Sequence, residues 1–222
     1  MNHSVLLDLD GTLIDSYPGI LASCNAALRA LGHQPDAKLD VRHAIGPPIE
    51  DVMQFLLQPY SDNRVGEAII AYRQHYGERG YLQSVPYPGI GRSLNKMKQA
   101  GLRIYLATSK RVNFAERILD RLKFTPYFDG IEGSIPSGEL DHKPELLEYV
   151  TSKYGLSPAH SVMVGDRHHD VSGAHKVGMR CIGVCWGYGT REELETAGAD
   201  QLVDFPEHLT GKVLSMFNES AY

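Results

Sequence analysis

The chain has little cysteine: Cys24, Cys181 and Cys185 are the only three in 222 residues. A sparse, odd set without paired Cys-x-x-Cys motifs excludes a disulfide framework and a cysteine-built zinc site. It fits buried, reduced thiols in the cytosol. Long apolar runs are also missing. Nothing approaches the ~20 apolar residues of a membrane span. The start, Met1-Asn2-His3-Ser4 and a short apolar run broken by Asp8, lacks the positive charge and long apolar core of a signal peptide. A cytoplasmic protein with no membrane partner is therefore expected. There is no basic run, and the net charge is −5, so a nucleic-acid partner is not expected. An anionic ligand would need a cation placed locally. No Gly-x4-Gly-Lys-Ser/Thr loop exists for an ATPase, and Gly89-Ile90-Gly91 lacks the remaining glycine of a dinucleotide fingerprint. His142, His168, His169 and His175 lack the ordered spacing of a zinc site.

What is present is ordinary globular material, 42% hydrophobic and 22% charged. Ser4 to Leu9 reads as a buried strand running into an Asp-Gly turn. Helical spacing follows in Ile20, Leu21, Cys24, Ala27, Leu28 and Leu31, with Gly32 as a stop. Two more helices are marked by Ile49 to Leu57, after Pro47-Pro48, and by Val65 to Tyr76. Beyond Pro86-Tyr87-Pro88-Gly89 the pattern alternates. Strands are predicted at Leu102–Ala107, Phe128–Ile131, Ser161–Val164, Arg180–Cys185 and Gln201–Val203. Helices are predicted around Ile90–Met97, Asn113–Leu122, Pro144–Tyr154, Val171–Val177 and Arg191–Ala197, the last with a Thr190/Glu193 capping box. Strand and helix alternation implies βαβ units. The expected fold is α/β: a Rossmann-like parallel sheet core, residues 1–15 and 85–222, with a small all-helical cap, residues 16–84, inserted after the first strand.

Ligands of open parallel sheets bind beyond the carboxyl ends of the strands. The first strand ends in Asp8-Leu9-Asp10-Gly11-Thr12. Strand alternation would point both carboxylates to one side. Two close carboxylates are tolerable around a cation, or when one holds a proton. Mg²⁺ takes carboxylate oxygens and leaves room for phosphate. One carboxylate can attack phosphorus, and the other can move protons. Gly11 lets backbone N–H groups approach phosphate. Thr108-Ser109, after the second core strand, offers hydroxyls for phosphate, although either could simply cap the next helix. Lys143-Pro144 offers a cation, or a solvated lysine before a helix-starting proline. Gly165-Asp166-Arg167-His168-His169-Asp170 offers two more acids at a strand end, or a capped helix start.

Together these four strings, in this order, resemble the haloacid dehalogenase-like hydrolases. The resemblance covers nearly the whole chain. It implies that Asp8 is nucleophile and metal ligand, and that Asp10 is general acid/base with its backbone carbonyl on Mg²⁺. It implies that Thr108 and the Ser109 backbone hold phosphate with Lys143, and that Asp166 and Asp170 serve the metal. In dehalogenases proper the Asp10 position is not acidic, so phosphate rather than carbon–halogen cleavage is expected. The chain looks closest to small-cap phosphatases of the 5′-nucleotidase and phosphoglycolate phosphatase type. Gly187-Tyr188-Gly189 and Thr190 to Leu194 lean toward the first. The expected substrate is a small phosphorylated metabolite, a nucleoside 5′-monophosphate, with 2-phosphoglycolate as the alternative. A phosphosugar mutase is more remote, as is a non-catalytic module, which would have lost these acids. Ile45-Gly46-Pro47-Pro48 resembles the cap loop that faces the active site. Arg42, His43 and Arg73 are candidate anion or base contacts there. A monomer or homodimer is expected.

Overall fold

The apolar run after His3 forms β1 (Ser4–Leu7), with all four residues buried. A two-residue strand, β2 (Ile14–Asp15), leads into α1 (Tyr17–Ala30), α2 (Ile49–Leu57) and α3 (Val65–Glu78). The chain then returns through β3 (Val85–Pro86), which pairs antiparallel with β2, Ile14 opposite Pro86. The three helices bury one another's apolar faces: Ile20, Cys24 and Leu28 of α1 meet Met53 and Leu56 of α2 and Ile69 and Tyr76 of α3. This cluster is separate from the clusters around the main sheet. The computed structural model describes residues 3–218.

The remainder alternates as the sequence pattern predicts: α4 (Ile90–Gln99), β4 (Arg103–Arg111), α5 (Val112–Arg121), β5 (Gly130–Ser134), α6 (Lys143–Tyr154), β6 (Ser161–Gly165), α7 (His168–Lys176), β7 (Arg180–Val184), α8 (Arg191–Thr196), β8 (Gln201–Val203) and α9 (Leu209–Asn218). Six strands form one parallel sheet in the order β5-β4-β1-β6-β7-β8. Side chains alternate across it. Val5 and Leu7 face α4, α5 and α9, through Leu94, Ile118 and Val213 among others. Leu6 faces α6 and α7, through Leu147, Val150 and Val171. Helices therefore cover both faces, as a parallel sheet requires.

Several boundaries differ from the sequence expectation. The first strand stops at Leu7 rather than Leu9, and β4 runs on to Arg111 instead of ending at Ala107. The third core strand lies at Gly130–Ser134, downstream of Phe128–Ile131. The helix expected from Val171 begins at His168, which places Asp170 in its first turn. Helix α9 lies beyond the last element that the sequence reading predicts. Its signal, Leu209, Val213, Met216 and Phe217 at helical spacing, was there to read. All three cysteines are free; Cys24 and Cys181 are buried and Cys185 is half-buried. Among the described residues no helix is long and apolar enough to cross a membrane.

Candidate active site

Register gathers the motifs. Leu7 of β1 is level with Leu106 of β4 and Val164 of β6. The residues that follow each therefore emerge at one rim, where strand order reverses on either side of β1. The Asp8 N–H continues the ladder to Val164 O at 3.0 Å. The common side of Asp8 and Asp10 does not come from strand alternation, because the strand has already ended. Both side chains line the same cavity from a rim loop. That loop turns at Gly11, with φ +80°, where a Cβ would collide with the Asp166 carboxylate.

Lys143 is 5% exposed, far from the solvated alternative. Its ammonium donates to Asp8 Oδ1 at 2.9 Å and to Ala107 O at 3.0 Å, and pairs with Asp170 Oδ1 at 2.7 Å. Three donors thus meet three acceptors. Burial works against the Lys143 proton. Asp170 and Asp8 outweigh it and hold the group charged, above its ordinary range. Asp170 Oδ2 also accepts from the Arg167 N–H at 3.1 Å. Asp166, fully buried, accepts from Thr12 Oγ1 at 3.2 Å and from the Tyr188 N–H at 2.7 Å.

Oxygens of Asp8, Asp166 and Asp170 lie within 4.8 Å of one another. Three buried carboxylates against one ammonium leave an excess of negative charge. Burial pushes Asp166 well above the usual carboxylate range, and Asp170 and Asp8 add to it. Asp8 is also pushed up, by burial first, against the pull of Lys143. A hard, oxygen-seeking dication fits this donor set and this charge. The Asp10 carboxylate is not part of the cluster. Its Oδ2 accepts from Lys110 Nζ at 2.7 Å, while its Oδ1 is buried without a partner. Asp8, Asp166 and Asp170 remain the carboxylates for a metal, and Asp10 could join them only through its backbone carbonyl.

Thr108 and Ser109 line the cavity with Asp8 and Asp10, and so do Gly46, Pro47 and Pro48 of the cap loop. Thr108 does not cap α5, whose first flanking residue is Arg111. Its Oγ1 accepts from the Lys110 N–H at 3.3 Å. Between Thr108 and Arg111 the β4–β5 register shifts: these two residues oppose the consecutive Gly133 and Ser134. Ser109 and Lys110 are thereby thrown out of the ladder toward the rim. Gly133 permits it, since a Cβ there would lie 2.5 Å from Lys110 O. Arg42, expected among the anion contacts, stands apart from the cavity. Its guanidinium is bonded to Asp40 at 3.1 Å and lies over the Tyr17 ring. A carboxylate two residues before it holds it at the surface. Arg73 does line the cavity.

Sequence reasoning gave no role of their own to four residues. Lys110 and Arg111 follow Ser109 directly, a basic pair at a strand end in an acidic chain. Arg167 bonds the cap loop, through Ile45 O and through His43 O at 3.1 Å. The Tyr188 hydroxyl accepts from the N–H groups of Ser16 and Tyr17 at 2.8 and 3.0 Å and donates to Asp15 at 3.1 Å. No local pattern marked Arg167 or Tyr188 for those contacts.

A family model described as haloacid dehalogenase-like hydrolase matches residues 5–184. A 5′-nucleotidase of Pseudomonas aeruginosa is 38% identical, covering 86% of each chain. The tyrosine-protein kinase PtkA of Mycobacterium tuberculosis is 36% identical over 86% of this chain and 65% of its own length. Phosphoglycolate phosphatase 1 of P. aeruginosa is 31% identical over 90% of this chain and 77% of its own. The crystal structure of a predicted phosphatase from Clostridium acetobutylicum superposes with a TM-score of 0.89 at 33% identity, covering 97% of this chain and all of that one.

Proposed function

The chain belongs to the haloacid dehalogenase-like hydrolases and is a phosphatase of that family, and from that premise we propose that it is a Mg²⁺-dependent phosphomonoesterase working through an aspartyl phosphate on Asp8. The carrying observation is the buried junction in which one ammonium, Lys143, joins Asp8 to Asp170 beside Asp166. Asp8, Asp166 and Asp170 would hold the ion, which when bound supplies charge stabilisation for the phosphoryl group. Lys143 fixes Asp8 Oδ1 and leaves its other oxygen to attack phosphorus. Thr108 and Ser109 line the place of the phosphoryl oxygens. The ester P–O bond breaks as the Asp8 O–P bond forms. Asp10, held by Lys110 with its second oxygen unpartnered, protonates the leaving oxygen. It then takes a proton from the water that attacks the acyl phosphate, releasing phosphate and restoring Asp8.

The substrate is a small phosphorylated metabolite. A nucleoside 5′-monophosphate is supported by the 38% identical 5′-nucleotidase, and 2-phosphoglycolate by the 31% identical phosphatase. The two make different demands on the cavity wall away from Asp8. Phosphate release from a metabolite panel, with Mg²⁺ and with chelator, tests the reading. Release of free phosphate rather than an isomerised product separates hydrolysis from a mutase. No release from any phosphomonoester, or undiminished release in chelator, would sink it.

A further inference from the structure

The cavity that holds Asp8 and Thr108 extends to a second set of charged side chains. Arg73 of α3 and Arg111 at the end of β4 both line it, one from each side of the cleft. Among the described residues neither makes an ion pair, and Nε and Nη2 of Arg73 and Nη1 of Arg111 are shielded from solvent with no hydrogen-bond partner. Buried, unsatisfied guanidinium donors cost free energy unless something completes them. The surroundings do not complete them. Ile20, Ile49, Val52, Tyr72 and Phe114 supply apolar wall. Asp141 also lines the cavity, but it accepts from Ser134 Oγ. Burial and the nearby Arg111 charge both work against the Arg73 proton, with Glu50 and Asp141 offsetting only in part.

We propose that Arg73 and Arg111 form a second anion subsite, and that the substrate carries a carboxylate or second phosphate on its leaving group. Position limits the spacer. Arg111 lies three residues beyond Thr108, at most ~11 Å along the backbone, and the register shift shortens that. Arginine side chains reaching inward leave room for a few bonds between the two anions. A short phosphorylated acid or a short bisphosphate meets this. A nucleoside 5′-monophosphate, whose leaving group is neutral, does not. The anion would also join a cap residue to a core residue, so that a substrate carrying both anions holds the cleft together.

The assignment rests on the phosphatase reading only for where the transferred phosphate sits, and the test separates the two. Wild-type kcat/KM in Mg²⁺ is compared for 2-phosphoglycolate, 3-phosphoglycerate, 1,3-propanediol bisphosphate, AMP and 2-hydroxyethyl phosphate, the neutral match of the first. A preference of about tenfold or more for a substrate with a second anion is expected. Whether the acids or the bisphosphate lead identifies the second group. In Arg73→Met and in Arg111→Met the ratio of 2-phosphoglycolate to 2-hydroxyethyl phosphate should fall about tenfold. Arg111→Lys should restore part of it. An unchanged ratio in both methionine variants, or a wild-type preference for AMP, overturns the subsite. Calorimetric titration of Asp8→Asn with the matched pair supplies the independent arm. Discrimination there, lost on adding Arg73→Met, keeps the subsite even if no substrate turns over, in which case the catalytic reading alone fails. Binding without discrimination overturns it.

Discussion

Lys110 stands between two environments. Its ammonium is buried, bonded to Asp10 Oδ2 at 2.7 Å and 4.6 Å from the centre of the Tyr76 ring. Burial opposes the charge, and Asp10 with Tyr76 more than restores it. The bond sets where Asp10 points, so Lys110 is a positioning residue for proton transfer. Lys110→Met is expected to lower kcat by roughly 10²-fold, the lower range of general acid–base contributions, with a smaller change in KM. Lys110→Arg should recover part of the rate. A rise in KM at unchanged kcat would assign Lys110 to substrate binding instead. A thermal melt is needed alongside, because removing one partner of a buried pair costs about 3–5 kcal/mol. Asp8→Asn makes a sharper demand. It should reduce turnover by more than ~10³-fold, as loss of a nucleophile does, while circular dichroism stays native. Retained turnover would require a different attacking group.

Elements explain why part of this was readable and part was not. The helices of the cap and the alternating core follow from apolar spacing, and three of the four motifs fall at or just past strand ends because buried strands stop where polar residues begin, while Lys143 opens α6. Asp8, Asp166, Asp170 and Lys143 are candidates through the resemblance that the order of their motifs carries, and the structure brings the four together. The β4 extension could not be read. Thr108-Ser109-Lys110-Arg111 is polar and reads as loop, yet it stays in the sheet through a register shift that only its neighbour Gly133 permits. Lys110 and Asp10 are 100 residues apart, and no local period reports such a pair. The same holds at the start of α7. There Arg167 links Glu193, at 2.9 Å, to the carbonyls of the cap loop. Burial raises the Glu193 carboxyl, but the His168 N–H, the Arg167 guanidinium and the His168 ring together bring it down to about 2. A carboxyl lowered on folding stabilises the native state above its unfolded value and loses that contribution as pH falls. Urea stability should therefore decline from about pH 4.5 toward pH 2 through this group. Glu193→Gln should show a smaller decline over that window. Equal slopes for the two proteins would remove Glu193 from the acid response.

At the scale of the whole molecule, folding forces together what electrostatics would keep apart. Two strand ends, those of β1 and β6, deliver Asp8, Asp166 and Asp170 to one buried point, and a single lysine does not balance them. The sheet can bear this because its two apolar faces are extensively packed; Leu6 and Leu7, neither exposed, lie on opposite sides of it. Truncating either to alanine should cost about 2–5 kcal/mol. The unfolded chain does not gather Asp8 with Asp166 and Asp170, so a dication bound only by the native state adds stability by mass action. At a hundred times its dissociation constant that is about 2.7 kcal/mol, visible as a higher Tm by calorimetry in Mg²⁺ than in chelator. Asp166→Asn then separates metal binding from packing, because the two predict opposite signs without metal. The variant loses one buried charge, so in chelator it should melt at or above wild type. In Mg²⁺ it should gain little, and wild type should overtake it. If Asp166 served packing alone, the variant would melt lower in chelator and keep the full Mg²⁺ increment, and the three acids would need another explanation.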